Sequence, residues 1–319
     1  MSSLPEVPFF VLGSPRSGTT LLRFILSSHP RLYVTRETGF IPHLGVAADA
    51  RLSQESVQDL LRTIGRLNRW WGEVDDLDRF YQGLPESTLD HVLDGLYRTK
   101  LVGQGAARWG DKTPGYALYV SRLNDIFPTA QFIHVIRDGR DAALSAQAKW
   151  GTNTWYMDNY YLLASWVRHV TSAQQSGSSL DPNRYLEVRY ESLTAEPEPE
   201  IERICGFLGE TFHPAMMNHT KLAARTIAPG GHVEVLEPIS TASVQRWKTE
   251  MSAFEQKMAD RIAGRTLLAL GYELAEAGSW RLGEVARLLI LASKYGVVSA
   301  ARSVLSSTGL VTLNRGKRR

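Results

Sequence analysis

Residues 11–22 read VLGSPRSGTTLL, and no other stretch of the 319-residue chain restricts the fold so tightly. An apolar run enters a turn bracketed by Gly13 and Gly18. A run with Leu21, Leu22, Ile25 and Leu26 on one helical face leaves it, and Ser28-His29-Pro30 ends that pattern because proline cannot continue a helix. Apolar runs of strand length recur at residues 8–12, 31–35, 107–111, 131–136 and 185–190, each followed by a turn and a helical pattern. This alternation predicts an α/β fold: a central parallel sheet flanked by helices, opening on a P-loop-like unit. Residues 46–105, with Trp70-Trp71 and the acids Asp75, Asp76 and Asp78 at their middle, are expected to form a helical insertion. The stretch TAEPEPE, residues 194–200, reads as a stiff turn before a helix rather than a linker.

The segment Gly13 to Thr20, GSPRSGTT, keeps the outer glycines of a phosphate-binding loop but has Thr19 where that loop carries its lysine. A strand entering and a helix leaving still direct backbone N–H groups and the positive end of the helix dipole at one anion. Pro15, Ser17 and Gly18 belong to the binding loop, Thr19 and Thr20 add hydroxyl donors, and Arg16 adds a cation that can fork onto phosphate oxygens. With no loop lysine and no evident magnesium carboxylate, the pattern disfavours transfer from a triphosphate. A sulfuryl group on a 5′-phosphate carries one negative charge fewer, and main-chain donors with arginine suffice for the charge that develops on the departing phosphate. The alternative is a glycine-rich turn that binds nothing.

A hydrophobic fraction of 43% supports a sizeable core. The single Cys205 excludes an internal disulfide and any cysteine-based zinc site, and points to a reducing compartment, the cytoplasm by default. The beginning, MSSLPEVPFFVLGS, reads as a first strand rather than a signal peptide, and no stretch is apolar for long enough to span a bilayer. Residues 280–319 hold eight Lys or Arg and one acid, Glu284, so this tail carries +7 of a net +3 and residues 1–279 sum to −4. That balance, without a recognisable binding motif, argues against a nucleic-acid partner. The histidines show no metal spacing. His134 falls inside a buried strand as a core residue, and His29 precedes the helix-ending proline.

The stretch PFFVLGSPRSGTTLLRFILSSHPRLYVTRET resembles the opening of the sulfotransferases that use 3′-phosphoadenosine 5′-phosphosulfate (PAPS), in the branch that holds the tyrosylprotein sulfotransferases and many bacterial relatives. The resemblance recurs at four later stretches and covers most of residues 8–274. It implies the P-loop-like sulfotransferase fold, PAPS as donor, its desulfated form (PAP) as product, and no metal. It implies that the loop with Arg16 holds the 5′-phosphosulfate, Arg16 standing where cytosolic members carry a lysine. Glu37, in RLYVTRET, matches that branch's general base, and Lys112, in ARWGDKTPG, matches the lysine that neutralises the oxygen linking sulfur to phosphorus. The alternatives are a solvated acid or an Arg36 pair for Glu37, and a plain surface lysine for Lys112; Asp111 would orient that ammonium or cap the next turn. In QFIHVIRDGRDAALSAQAK, Arg137 and Ser145 have the spacing with which the family holds the 3′-phosphate, and Lys149 resembles a further basic contact. An Arg137–Asp138 cap pairing is the alternative there. Tyr190, in YLEVRYESL, matches a tyrosine near the nucleotide, with Glu191 expected to cap the helix starting near Glu200. Arg246 and Trp247, in SVQRWKTEM, match the late loop over the cofactor.

Two departures stand out. A serine expected upstream of that loop falls near Gly231-His232, and the arginine with which the related branch recognises peptide tyrosine is replaced by Gly39. The acceptor implied is therefore a hydroxyl of a carbohydrate, lipid or small molecule. Competing readings are a nucleotide-dependent kinase or NTPase with an altered loop, and a non-catalytic protein that binds PAPS or PAP. The aromatic residues Trp150, Trp155, Tyr156, Tyr160, Tyr161 and Trp166 fit either a core or a pocket lining. Residues 1–279 are read as the catalytic domain. In the basic tail 280–319, ARLLILA and VVSAARSVL alternate with Arg287, Lys294 and Arg302; such a helix packs on its own domain or lies on an anionic membrane.

Overall fold

A computed structural model describes residues 7–151, 157–227, 233–275 and 278–307. Five strands form one all-parallel sheet: β1 (Phe9–Gly13), β2 (Leu32–Thr35), β3 (Arg108–Lys112), β4 (Gln131–Ile136) and β5 (Tyr185–Arg189), in the order β2-β3-β1-β4-β5. Each lies within a residue or so of the run that predicted it. The helices are α1 (Thr19–Ser27), α2 (Gln54–Leu67), α3 (Leu77–Gln82), α4 (Leu89–Thr99), α5 (Val120–Ile126), α6 (Gly139–Trp150) and α7 (Asn159–Gly177). They continue with α8 (Tyr190–Ala195), α9 (Pro197–Leu208), α10 (His219–Thr226), α11 (Trp247–Glu250), α12 (Ala253–Ala269) and α13 (Leu282–Ser307).

The chain divides into two compact units, Met1–Ile136 with Ser172–Thr241, and Arg137–Thr171 with Ala242–Arg319. The first holds the sheet. Strand alternation sends Phe9 and Val11 to one face and Phe10 and Leu12 to the other, and both faces are covered. Phe10 and Leu12 meet α2, α4, α5 and the aromatic stack of Trp109 on Tyr97, whose ring centroids are 3.9 Å apart. Phe9 and Val11 meet α1 through Leu22, Ile25 and Leu26, and α9 through Ile201, Ile204 and Cys205. The 46–105 segment supplies α2, α3 and α4; Ser53 starts α2 by accepting from Ser56 N, and Val57, Leu60, Leu61 and Ile64 fill the core. The chain leaves β1 for β2 and β3 on one side, then passes to β4 on the other. The topological switch therefore lies at β1, whose C-terminal end carries the glycine loop.

His134 is fully buried, with Nδ1 2.6 Å from the Tyr185 hydroxyl, and His29 bonds Thr211 O through Nε2, so both are structural as read from the sequence. Glu191 differs from its expectation: α8 begins at Tyr190, so Glu191 sits in the first turn of that helix, while α9 starts at Pro197 after Glu196.

In the second unit α6, α7, α11 and α12 share an apolar core of Ala142, Leu163, Trp166, Trp247, Met258 and Leu267. A capping box, Ser252 with Glu255, starts α12. Helix α13 rests on this unit through Leu288 and Leu291, a Lys294–Asp158 ion pair of 2.7 Å, and Arg287 stacked 4.3 Å from the Phe254 ring centre. Its opposite side exposes Leu282, Val285, Leu289, Ile290 and Val297. Trp166 and Tyr160 are thus core or near-core residues, Trp150 is exposed, and Trp155 and Tyr156 lie outside the described residues. Among the described residues no helix is long and apolar enough to cross a membrane.

Candidate active site

Two glycines dictate the shape of the loop between β1 and α1. Gly18, the N-cap of α1, has φ 94°, and a Cβ there would lie 2.3 Å from the Tyr190 ring. At Gly13 a Cβ would lie 2.5 Å from Val135 O on the neighbouring strand. Arg16 takes the left-handed conformation with φ 68°, and Ser17 N closes the turn on Ser14 O at 3.2 Å. The opening N–H groups of α1 have no intrahelical acceptor, and its first turn carries no acid, so this end attracts an anion. The Ser17 hydroxyl is buried and meets no hydrogen-bond partner among the described residues. A buried donor of this kind fits a ligand oxygen. Tyr190, expected near the nucleotide, is placed against this loop by the Gly18 contact.

Lys112 arrives from β3, which pairs with β1 so that Val11 and Lys112 are in register. Its side chain is 6% exposed, and Nζ donates to Glu37 Oε1 at 2.9 Å and to Thr20 Oγ1 at 3.4 Å. Burial pushes this ammonium below the usual lysine range, while the Glu37 carboxylate pulls it back. The surface-lysine alternative is excluded by that burial. Glu37, two residues beyond β2, keeps 48% of its side chain open to solvent. Its cation is Lys112 in place of the alternative Arg36, whose guanidinium donates to Thr226 O. Asp111 does not bond the ammonium directly. Successive strand residues point to opposite faces, so its carboxylate turns away from the ammonium and accepts from the Thr38, Tyr97 and Thr113 hydroxyls. Burial raises its pKa to about 6.

Arg16 pairs with Glu234 at 2.7 Å, and buried Arg23 holds Val34 O through Nε at 2.9 Å, its pKa pushed by burial down to about 10. Neither Arg23 nor Glu234 was singled out by sequence. Arg23 lies one turn after Thr19 on α1 and was legible by that spacing; Glu234 comes from 218 positions away and had no sequence signal.

In the second unit Arg137 immediately follows β4 and is almost wholly buried, donating to Ser243 O at 2.6 Å, while its carbonyl accepts from Trp166 Nε1 at 2.9 Å. Asp138 caps α6, as expected, and the guanidinium that forks onto it is that of Arg140, at 3.0 and 2.7 Å, because Arg140 points back along the first turn of the helix. Ser145 and Lys149 lie one turn apart on α6, half-buried and exposed respectively. Asp141 accepts from Gln245 N and Trp247 N at 2.7 and 2.9 Å, which fixes the segment 245–247 to α6. Trp247 is 4% exposed, and its ring lies under the Arg140 guanidinium at 3.5 Å. Arg246 forks onto Glu250 at 2.7 Å through both nitrogens. Gly231 and His232 lie outside the described residues. Among the described residues no group of three or more His, Cys, Asp or Glu could hold a metal ion.

Comparison with known proteins bears on the chemistry. Residues 8–214 match the model of the Sulfotransferase family. The chain is 25% identical over 250 residues to the protein-tyrosine sulfotransferase A of Caenorhabditis elegans, covering 75% of this chain and 61% of that protein. It is 25% identical over 296 residues to the nodulation protein NoeE of Sinorhizobium fredii, covering 86% and 67%. The chain thus spans less than two thirds of the nematode relative. The sulfotransferase domain of the Synechococcus olefin synthase shares the fold, with a TM-score of 0.57 at 24% identity over 86% of this chain and 98% of that domain. On this family match, which spans the glycine loop, β1 to β5 and the Glu37–Lys112 pair, the chain belongs to the sulfotransferase family.

Proposed function

We propose that this chain transfers a sulfuryl group from PAPS to a hydroxyl of a carbohydrate, lipid or small-molecule acceptor, in line and without a metal. The observation that carries the proposal is the convergence of Lys112 on both Glu37 and Thr20 at the start of α1. A carboxylate able to take a proton and a buried cation able to meet leaving-group charge stand side by side at an anion-attracting helix end. PAPS, when bound, supplies the sulfuryl group. The buried Ser17 hydroxyl and the loop closed by Gly18 fit its 5′-phosphosulfate.

In this reading Glu37 accepts the proton of the acceptor hydroxyl as the new O–S bond forms and the bond from sulfur to the phosphate oxygen breaks. Lys112, Arg16 and the loop N–H groups meet the charge on the departing bisphosphate. Arg16, 11% exposed, exchanges its carboxylate partner for a ligand, and Glu234, 54% exposed, is left to water. Arg137, Ser145 and Lys149 are assigned to the 3′-phosphate, with Tyr190 beside the loop and Arg246 as a further basic contact. Trp247, next to Arg246 in the same loop, is assigned to the cofactor with it. Residues 1–279 are assigned to catalysis, with 280–319 as an accessory tail, in a reducing compartment such as the cytoplasm. The lone Cys205 is buried and its thiol is pushed up to about 11, a site protected from oxidation. For the tail we favour packing on its own unit, which Leu288, Leu291 and the Lys294–Asp158 pair support; contact of the exposed apolar row on α13 with an anionic membrane surface is the alternative.

Gly39 has φ 68°, and a side chain there would meet nothing within 4 Å, so the position serves the turn after Thr38 and offers no group to a peptide. The test has two parts. Thermal shift should show stabilisation by PAP and none by ATP with Mg²⁺; the reverse overturns the donor assignment. Radiolabelled sulfuryl transfer to a panel of sugars, lipids, phenols and tyrosine peptides should then find an acceptor outside the peptides. Turnover on tyrosine peptides alone overturns the acceptor class, and no turnover with intact PAP binding overturns catalysis in favour of a binding protein.

A further inference from the structure

We infer that Asp111 is a positioning residue: by gathering the hydroxyls of Thr38, Tyr97 and Thr113, its carboxylate holds the Glu37 loop against Lys112. Glu37 has no regular structure to fix it, since β2 ends at Thr35 and the next helical turn begins at Ile41. The residue after it is tied down instead. Thr38 Oγ1 donates to Asp111 Oδ2 at 2.5 Å, and Thr38 N donates to Thr113 Oγ1 at 3.0 Å. Thr113 Oγ1 in turn donates to Asp111 Oδ1 at 2.7 Å, so the two anchors of Thr38 meet on one carboxylate. The Tyr116 hydroxyl, 2.7 Å from Thr38 Oγ1, also accepts from Ile41 N at 3.3 Å. From the end of α2, Asn68 Nδ2 donates to the carbonyls of Glu37 and Thr38 at 3.3 and 3.0 Å.

The geometry constrains both members of the pair at once. Asp111 and Thr113 flank Lys112 in sequence and point to the opposite face, so locking them fixes where Lys112 emerges. Thr38 follows Glu37 directly, so locking it fixes the other partner. A fully buried carboxylate whose partners are hydroxyls rather than a cation is an expensive way to build a core that apolar side chains could fill. Its arrangement makes sense as a specific clamp.

The functional weight of the clamp rests on the reading above that Glu37 and Lys112 serve the reacting groups, and the test separates the two claims. Thr38→Val removes the hydroxyl at nearly constant volume, Thr38→Ser restores it, and Asp111→Asn weakens the hub. In a structure of the Thr38→Val protein, Glu37 Oε1 should leave Lys112 Nζ, and in Thr38→Ser it should return. Turnover with the acceptor found in the panel should fall about 10²-fold in Thr38→Val, the usual cost of displacing a reacting group by an ångström, with Kd for PAP unchanged. Thr38→Ser should recover most of it. An intact ion pair in Thr38→Val overturns the inference whatever the activity. A separated pair with wild-type turnover, together with an active Glu37→Gln, overturns the catalytic reading and leaves the positioning role standing. Equal losses of turnover and PAP affinity would mark general damage to the fold and also overturn it.

Discussion

Replacing Asp111 with asparagine should change how stability depends on pH, in a direction set by burial. In the folded protein this carboxyl ionises at about 6 instead of the ordinary 3.8. Burial, the larger influence, penalises the anion; the three hydroxyls and the nearby Lys112 recover part of that. An acid whose pKa is raised by folding binds more protons folded than unfolded at intermediate pH. Its contribution to stability is therefore complete below the unfolded pKa and is lost as pH rises through the folded one. A gap of roughly two pKa units corresponds to about 3 kcal/mol. The amide introduced by Asp111→Asn does not titrate, so the stability of wild type minus that of the variant should fall by about 2 kcal/mol between about pH 4 and about pH 7, the rest of the change lying below that range. Urea unfolding of both proteins across that range measures it. Taking the difference cancels the other shifted acids, including Asp141 and Asp260, which both proteins share. Tyr97 and Tyr116, which face the carboxylate, are held well above the usual phenol range by burial and stay neutral throughout. A flat difference would refute the reasoning, and a rising one would mean that the hydroxyls outweigh burial.

Arg16→Ala should cost about 10²-fold in turnover while sparing the fold, measured as radiolabelled transfer with circular dichroism as control. Arg137→Ala should weaken PAP about 10- to 100-fold by calorimetry, the value of a lost charge-assisted contact, and unaltered affinity would remove it from the 3′-phosphate site. Gly18→Ala should lower stability by about 2 kcal/mol or more, read as Tm, because its Cβ meets the Tyr190 ring at 2.3 Å. Were the exposed side of α13 to lie on a membrane, Leu289→Glu with Ile290→Glu would reduce flotation with phosphatidylglycerol vesicles by about 10-fold without changing Tm; with the tail packed on its own unit, flotation should be equal.

Much of the sheet was legible because buried parallel strands are short apolar runs closed by turns, a signal local to each strand. The glycine loop was legible for the same reason: Gly13 and Gly18 are required by contacts a few ångströms away, and their spacing is written in a single segment. What could not be read were pairings over long separations. Arg16 with Glu234 joins residues 218 positions apart, and the Thr38–Asp111 bond spans 73. Trp247 shows a further limit. An aromatic residue beside Arg246 resembles a ligand contact in sequence, but nothing local reveals that Arg140, a hundred or so residues earlier, lies over its ring. The Arg140–Asp138 fork was within reach, since it spans two residues and needed only the direction of a side chain in a first helical turn.

In the proposed reading Lys112 takes the place of the lysine missing from the glycine loop, in position though not in sequence. A phosphate loop that ends in lysine delivers its cation from the first turn of the helix, where Thr19 stands here. In this chain Nζ of Lys112 reaches Thr20 from the adjacent strand, 3.4 Å from its hydroxyl. A cation anchored on a strand in register with β1 has less freedom than one on a loop, and it can be held by a second device on the far face of the same strand. The Asp111 clamp is that device. It also explains why a carboxylate at Glu37 can share the cation without drawing it away from the helix end: the strand sets the position of the ammonium, and the loop is brought to it. If that order is right, Lys112→Arg should not substitute. The longer, planar guanidinium would have to displace either Glu37 or Thr20, and radiolabelled transfer should fall even though the charge is kept.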